Sequence, residues 1–271
     1  MYSPFRHRRL LLSTLITALL HGAAVADDAQ LPSISVTASP LIDSQTLNAA
    51  QSGAEALKCL TPATSDSASL LKNTPGLNIQ GGGGVSSLPV IHGLADDRLR
   101  IKVDGMDLIS ACGNHMNPAL SYIDPTNVGS TTVFAGISPV SVGGDSIGGT
   151  ILVDSADPEF AKAGEEIIRS GEIGAFYRSN GNAQGGNLAA SIANEKINVS
   201  YQASTAKADD YQAGGDFKPA GLAAAGREWL DGDEVGSTMY QSTNQSVALA
   251  LRQDNHLVEL KLGLQDIPSQ G

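Results

Sequence analysis

An α+β fold of short elements, followed by antiparallel β hairpins, is what this 271-residue sequence predicts. Up to about residue 160, short β-branched runs alternate with turn signals and one capped helical segment. Beyond Pro158, apolar and polar side chains alternate along whole segments. Composition agrees: 30 glycines make roughly 11% of the chain against a usual ~7%. Aromatic residues reach only 4%, so turns and small side chains take the place of a large aromatic core.

The first 26 residues read as a signal peptide, set aside before fold reasoning. Arg6, His7, Arg8 and Arg9 make a basic start, Leu10 to Leu20 an apolar stretch too short for a bilayer, and Ala24-Val25-Ala26 a cleavage site. The whole chain has 17 basic and 28 acidic residues, a net charge of −11. Removing the segment takes away three arginines and no acid, so the net charge becomes −14. Nucleic acid is excluded as a partner, because phosphate contacts need clustered Lys and Arg. Export places the chain beyond the inner membrane of a bacterium, where disulfides persist.

Residues 27–52 are polar and small and lack an amphipathic period, which predicts a flexible arm. One alternating, β-branched island interrupts it, Ile34-Ser35-Val36-Thr37-Ala38, suited to adding as a strand to a partner's sheet edge. Ser65 to Asn73 predicts a short capped helix stopped by Thr74-Pro75-Gly76. Leu77 to Gln80 and Pro89 to Gly93 read as strands around the Gly81–Gly84 run. Leu99 to Val103 alternates strictly and ends at Asp104-Gly105, a hairpin turn signal. Thr131 to Phe134 and Thr150 to Val153 are further strands.

After Pro158 the alternating runs are Glu172 to Arg178, Asn187 to Ile192, Ile197 to Thr205, Ser246 to Arg252 and Leu257 to Leu264. Polar turns at Asn194-Glu195-Lys196 and Asp254-Asn255 make them antiparallel, and an acidic loop of about Asp209 to Glu234 interrupts them. One apolar face on regular hairpins suits an outer-membrane barrel. A soluble β-sandwich satisfies the same periodicity.

No strong catalytic signature occurs. Gly144 to Gly148 matches the nucleophile elbow G-x-S-x-G, but a strand-like run follows where that motif needs a helix, so Ser146 reads as part of a glycine turn. The Gly81–Gly84 run lacks the Lys-Ser/Thr of a P-loop. His92 reads as a structural histidine. The informative loop is Cys112-Gly113-Asn114-His115-Met116-Asn117-Pro118. Thiolate, thioether and imidazole together are soft ligands that suit Cu(I), with Cys112, His115 and Met116 as the donors. Cys59 is the second of two cysteines, and in an exported chain a Cys59–Cys112 disulfide competes with the ligand role of Cys112.

The stretch Asp66 to Gly76, then Ile91-His92-Gly93-Leu94 with Asp97-Arg98-Leu99, then Val103-Asp104-Gly105, resembles the plug of TonB-dependent outer-membrane receptors. Gly143 to Ile151 is similar to the glycine-rich segment that closes that plug. The resemblance implies a signal peptide at 1–26, an arm at 27–52 with a TonB box at Ile34–Ala38, a plug domain at 53–160, and at 161–271 the first strands of a transmembrane β-barrel. Roughly 22 strands complete such a barrel, so an N-terminal fragment with an incomplete barrel is expected. The Cys112 loop resembles the plug half of the site in copper-receptor members. Implied are a carrier and not an enzyme, no required cofactor, copper or another small ligand as substrate, and outer-membrane lipid and the inner-membrane TonB complex as partners. A soluble periplasmic binding or signalling module is the alternative.

Overall fold

The computed structural model describes residues 49–111, 113–143, 146–223 and 229–269. The signal segment, the island Ile34–Ala38 and Cys112 lie outside the described residues.

The N-terminal domain begins with strand β1 (Ala49–Ser52) and helix α1 (Ala54–Lys58). Two hairpins follow, β2 (Leu77–Gln80) with β3 (Leu88–Ile91), and β4 (Leu99–Val103) with β5 (Met106–Leu108). Strands β6 (Val128–Ala135) and β7 (Gly149–Ser155) complete it. The central sheet runs β1-β6-β7-β4-β5, with β4 and β7 parallel and the other pairs antiparallel. Asp104 and Gly105 take φ of +48° and +77° in the two-residue turn between β4 and β5, as an Asp-Gly hairpin requires. Leu57, Leu71, Ile91, Leu120 and Ile151 are fully buried and form the core with Leu77, Val133 and Val153. Each of those large side chains contributes roughly 1.5–3 kcal/mol by leaving water.

One expectation for this domain needs correction: the last residues of the arm, Ala49–Ser52, are not loose but pair with Thr131–Phe134 as an edge strand. The short capped helix expected within Ser65 to Asn73 is a 3-10 helix, Ser67–Leu71. Asp66 caps it by accepting from the Ala68 N–H and the Ser69 hydroxyl, and Ser67 donates to the Ile123 carbonyl. These bonds fix a tight turn that the following Pro75 prevents from lengthening.

The C-terminal half is a separate antiparallel sheet. Its strands β8 (Ile168–Arg178), β9 (Ala183–Ala193) and β10 (Ile197–Ala208) are longer than the alternating runs alone indicate. The acidic loop folds on itself as a nested pair of two-residue ladders, with β11 (Tyr211–Gln212), β12 (Gly221–Leu222), β13 (Trp229–Leu230) and β14 (Glu234–Val235). Then come β15 (Tyr240–Gln253) and β16 (His256–Ser269), giving the order β16-β15-β10-β9-β8. Among the described residues this sheet does not close into a barrel.

The two faces of this sheet reverse the polarity of a soluble protein. Ile173, Val199, Tyr201, Val247, Leu249, Leu260 and Leu262 are exposed, whereas Asn198, Ser204, Ser242 and Asn244 are buried beneath the N-terminal domain. A β-sandwich would cover the apolar face, so the sandwich alternative does not describe this sheet. An outward apolar band with polar residues inside is the pattern of a strand wall in lipid.

Polar contacts hold the N-terminal domain to that inner face. The Arg178 guanidinium donates to the Pro62 carbonyl at 3.1 Å, the Ser65 hydroxyl at 2.8 Å and the Tyr240 hydroxyl at 2.7 Å, and lies 4.2 Å from the Phe176 ring centroid. Asn244 donates to Asp124 at 3.0 Å and Gln265 to the Ser121 carbonyl at 3.1 Å. Lys261 on β16 reaches Asp104 at 3.2 Å and also the Ser155 hydroxyl, while Asp104 accepts from the Ser155 N–H at 2.7 Å.

This last contact carries a pH dependence. Burial alone raises the Asp104 carboxyl, but the Ser155 N–H, the Lys261 charge and the hydrogen bonds outweigh it and hold the group below the usual aspartate range. A carboxyl depressed on folding stabilises above its unfolded value and loses that stability as pH falls through the folded one. Asp154 works in the opposite sense: burial, then the charges of Asp104 and Asp157, push it up. In an Asp154→Asn background, Asp104→Asn is therefore expected to remove part of the acid-side loss of melting temperature. Identical melting curves from pH 7 to pH 3 with and without Asp104→Asn would refute this contribution.

Candidate functional site

The loop that carries the soft donors leaves β5 at Leu108, which pairs with Ile101. Its base is tied by three hydrogen bonds. The Ser110 hydroxyl donates to the Asn117 carbonyl at 2.8 Å, and the Tyr122 hydroxyl donates to the same carbonyl at 3.1 Å. Tyr122 also accepts from the Ala111 N–H at 2.8 Å. One phenol thus closes both ends of the loop, from a 3-10 turn whose Leu120 is fully buried.

His115 sits at the heart of this loop with φ of +52°. Its Nδ1 lies 3.8 Å from an Asp96 oxygen and its Nε2 3.9 Å from an Asp97 oxygen, with the imidazole only 18% exposed. Asp96 itself has φ of +59° and approaches Arg98 at 4.0 Å. Met116, beside His115, is 70% exposed. The imidazole thus lies near two carboxylates, beyond hydrogen-bond distance of either, while the neighbouring thioether faces outward. Asp96 and Asp97 are the additional members of this site, and nothing in their local sequence announces a histidine that comes 18 or more positions later. Among the described residues no group of three His, Cys, Asp or Glu side chains is arranged as a metal site. The soft-metal set Cys112, His115 and Met116 includes one member outside the described residues.

Cys59 is a free, exposed cysteine just beyond α1. Cys112, its partner in the expected Cys59–Cys112 bridge, lies outside the described residues.

The glycine-rich segment proves structural. Gly143 has φ of +95°, and Arg100 Nη1 donates to its carbonyl at 2.7 Å. Arg100 also forks onto Asp107 at 2.5 and 2.8 Å, and the hydrogen bond to Arg100 holds the Asp107 carboxyl below its ordinary range. The Ser146 hydroxyl pairs with that of buried Thr150 at 3.2 Å. His92 is exposed, and its Nε2 would be 2.7 Å from a Cβ on Gly76.

Residues 42–150 match the family model for the TonB-dependent Receptor Plug Domain. No curated protein matches the sequence. Among solved structures, the copper transporter OprC is similar at 26% identity and a TM-score of 0.64, covering 82% of this chain and 31% of its own. The FrpB iron transporter from Neisseria meningitidis (F3-3 variant) has 19% identity and a TM-score of 0.62, with 80% and 31% covered. A double mutant of the Serratia marcescens hemophore receptor HasR, in complex with its hemophore HasA and heme, has 17% identity and a TM-score of 0.64, with 82% and 32% covered. The chain spans about a third of the length of these structures.

Proposed function

We propose a transport function from one premise: residues 42–150 are the plug domain of a TonB-dependent receptor, and the strands after them are part of its barrel wall. The protein carries a small ligand across the outer membrane as a carrier and not an enzyme. Its outward apolar strand face meets lipid, and the island Ile34–Ala38 acts as the TonB box that engages the inner-membrane complex by strand addition.

The cargo is copper. The observation that carries this is the loop Cys112 to Met116, in which thiolate, imidazole and thioether stand within five residues on a tied base. Soft sulfur donors select Cu(I) over harder divalent ions. In support, the copper transporter OprC is similar at 26% identity, above the iron and heme proteins named with it. Asp96 and Asp97 place negative charge beside the imidazole of His115.

Titration of purified intact receptor with Cu(I) and Zn(II) tests the reading. Wild type is expected to hold Cu(I) more tightly than Zn(II), and Cys112→Ala and Met116→Ala each to weaken Cu(I) by ~10-fold or more. Equal affinity for the two metals, or Cu(I) affinity indifferent to both variants, overturns the copper assignment and leaves the receptor reading in place.

A further inference from the structure

The turn that ties the soft-donor loop is itself gripped by the C-terminal sheet. Asn244 on β15 and Gln265 on β16 stand directly opposite each other in their ladder. Gln265 donates to the Ser121 carbonyl at 3.1 Å, and Asn244 to an Asp124 carboxylate oxygen at 3.0 Å. Asn244 is buried and also reaches the Ser204 hydroxyl on β10 at 3.3 Å. Tyr122 lies between the two gripped residues. From the plug side, fully buried Leu120 anchors the same turn, and the Ser121 hydroxyl donates to the Pro118 carbonyl at 2.7 Å.

Tyr122 carries that fixed position to the loop. Its phenolic oxygen accepts from the Ala111 N–H at 2.8 Å and donates to the Asn117 carbonyl at 3.1 Å. The backbone of Ala111 and that of Asn117 are thus both held to one oxygen atom, and His115 and Met116 lie between them in sequence. A loop with joined ends has already lost conformational entropy that a bound metal would otherwise have to remove. Ser110, which also donates to the Asn117 carbonyl, ties the loop only to itself. Tyr122 ties it to a turn that the sheet holds. A phenol, an amide and a hydroxyl are not soft donors, so these groups act on a soft metal only by placing the residues that are.

We infer that Tyr122 is a positioning residue for the soft-metal loop, and that Gln265 on the barrel wall acts on metal affinity through it. This inference rests on the copper reading and deepens it, because the affinity of a plug loop is then set in part from the wall. Hydrogen bonds behind a metal's ligands typically carry about 10–100-fold in affinity.

Cu(I) titration of purified intact receptor against a competing chelator tests it, together with hydrogen exchange of the metal-free protein. Tyr122→Phe keeps the ring and removes both phenolic bonds. Its Cu(I) affinity is expected to fall by about tenfold, and its Ala111 N–H to exchange faster without metal. Gln265→Ala is expected to weaken Cu(I) by about threefold alone, and to add nothing to Tyr122→Phe. Val133→Ala, in the buried core of the central sheet, controls for general stability. It is expected to lower the melting temperature and leave Cu(I) affinity at the wild-type level. Tight wild-type binding that Tyr122→Phe leaves unchanged, or that Val133→Ala weakens as much, overturns the positioning role and leaves the copper reading standing. Additive losses from Tyr122→Phe and Gln265→Ala overturn the route through the phenol. Exchange is read without metal, so it tests the link from wall to loop even where Cu(I) binding fails. Ala111 exchange unmoved by Gln265→Ala overturns that link.

Discussion

Energised uptake by the intact receptor is expected to fall to background in a Val36→Pro variant, with ligand binding at the cell surface at the wild-type level. Strand addition joins the partner through backbone N–H and C=O groups, and proline removes one donor and locks φ. Val36 is the central residue of the alternating island, so the substitution interrupts pairing on both sides. Ala49 lies eleven positions after Ala38, a span of at most about 36–40 Å along an extended chain. A pull on the box reaches β1 once that length is taken up. β1 then presents only four residues, none of them buried, against β6, and the next firm hold is fully buried Leu57 in α1. Ala29→Pro, upstream of the island, is expected to leave uptake unchanged. Uptake by Val36→Pro at wild-type rate and surface abundance would remove Ile34–Ala38 from this role.

The strands of the C-terminal sheet were legible because one exposed apolar face and one polar face impose a strict two-residue period. Val199, Tyr201, Val247, Leu249 and Leu251 face one way, and no tertiary contact has to be known to see it. Their ends were not legible. Ala183 to Gly186, Ala206 to Ala208 and Tyr240 to Gln245 are small or polar on both faces, and only pairing with neighbours extends the strands through them. β1 escaped notice for a related reason. Ala49 to Ser52 carries no period, and its partner strand lies more than 75 positions away. Non-local pairing of this kind leaves no local trace. In the candidate site the donors Cys112, His115 and Met116 stood out by chemistry and spacing. The carboxylates that flank His115 did not, because they belong to a turn before β4 and meet the imidazole only after the β4–β5 hairpin folds back.

The steepest loss of stability is expected at Gly149, where β7 begins. Its φ is +138°, and a Cβ there would stand 2.3 Å from the Phe134 carbonyl oxygen and 3.3 Å from buried Ile91. The first obstacle is backbone in β6, which cannot rotate away as a flexible side chain does. Relief therefore requires moving β6 from β7 at the centre of the sheet, next to fully buried Thr150 and Ile151. Gly149→Ala combines the cost of a positive φ with overpacking, together roughly 2–5 kcal/mol. Gly93 supplies the control, because its φ is +81° and no atom lies within 4 Å of the position its Cβ would take. Gly93→Ala is expected to cost only the backbone part, roughly 1–2 kcal/mol. The difference between the two reports the close approach of β7 to β6 together with the further backbone cost of a φ of +138°, well outside the left-handed well. Calorimetric melting of the plug within the intact receptor measures both, and equal losses for the two variants would show that β6 yields without cost.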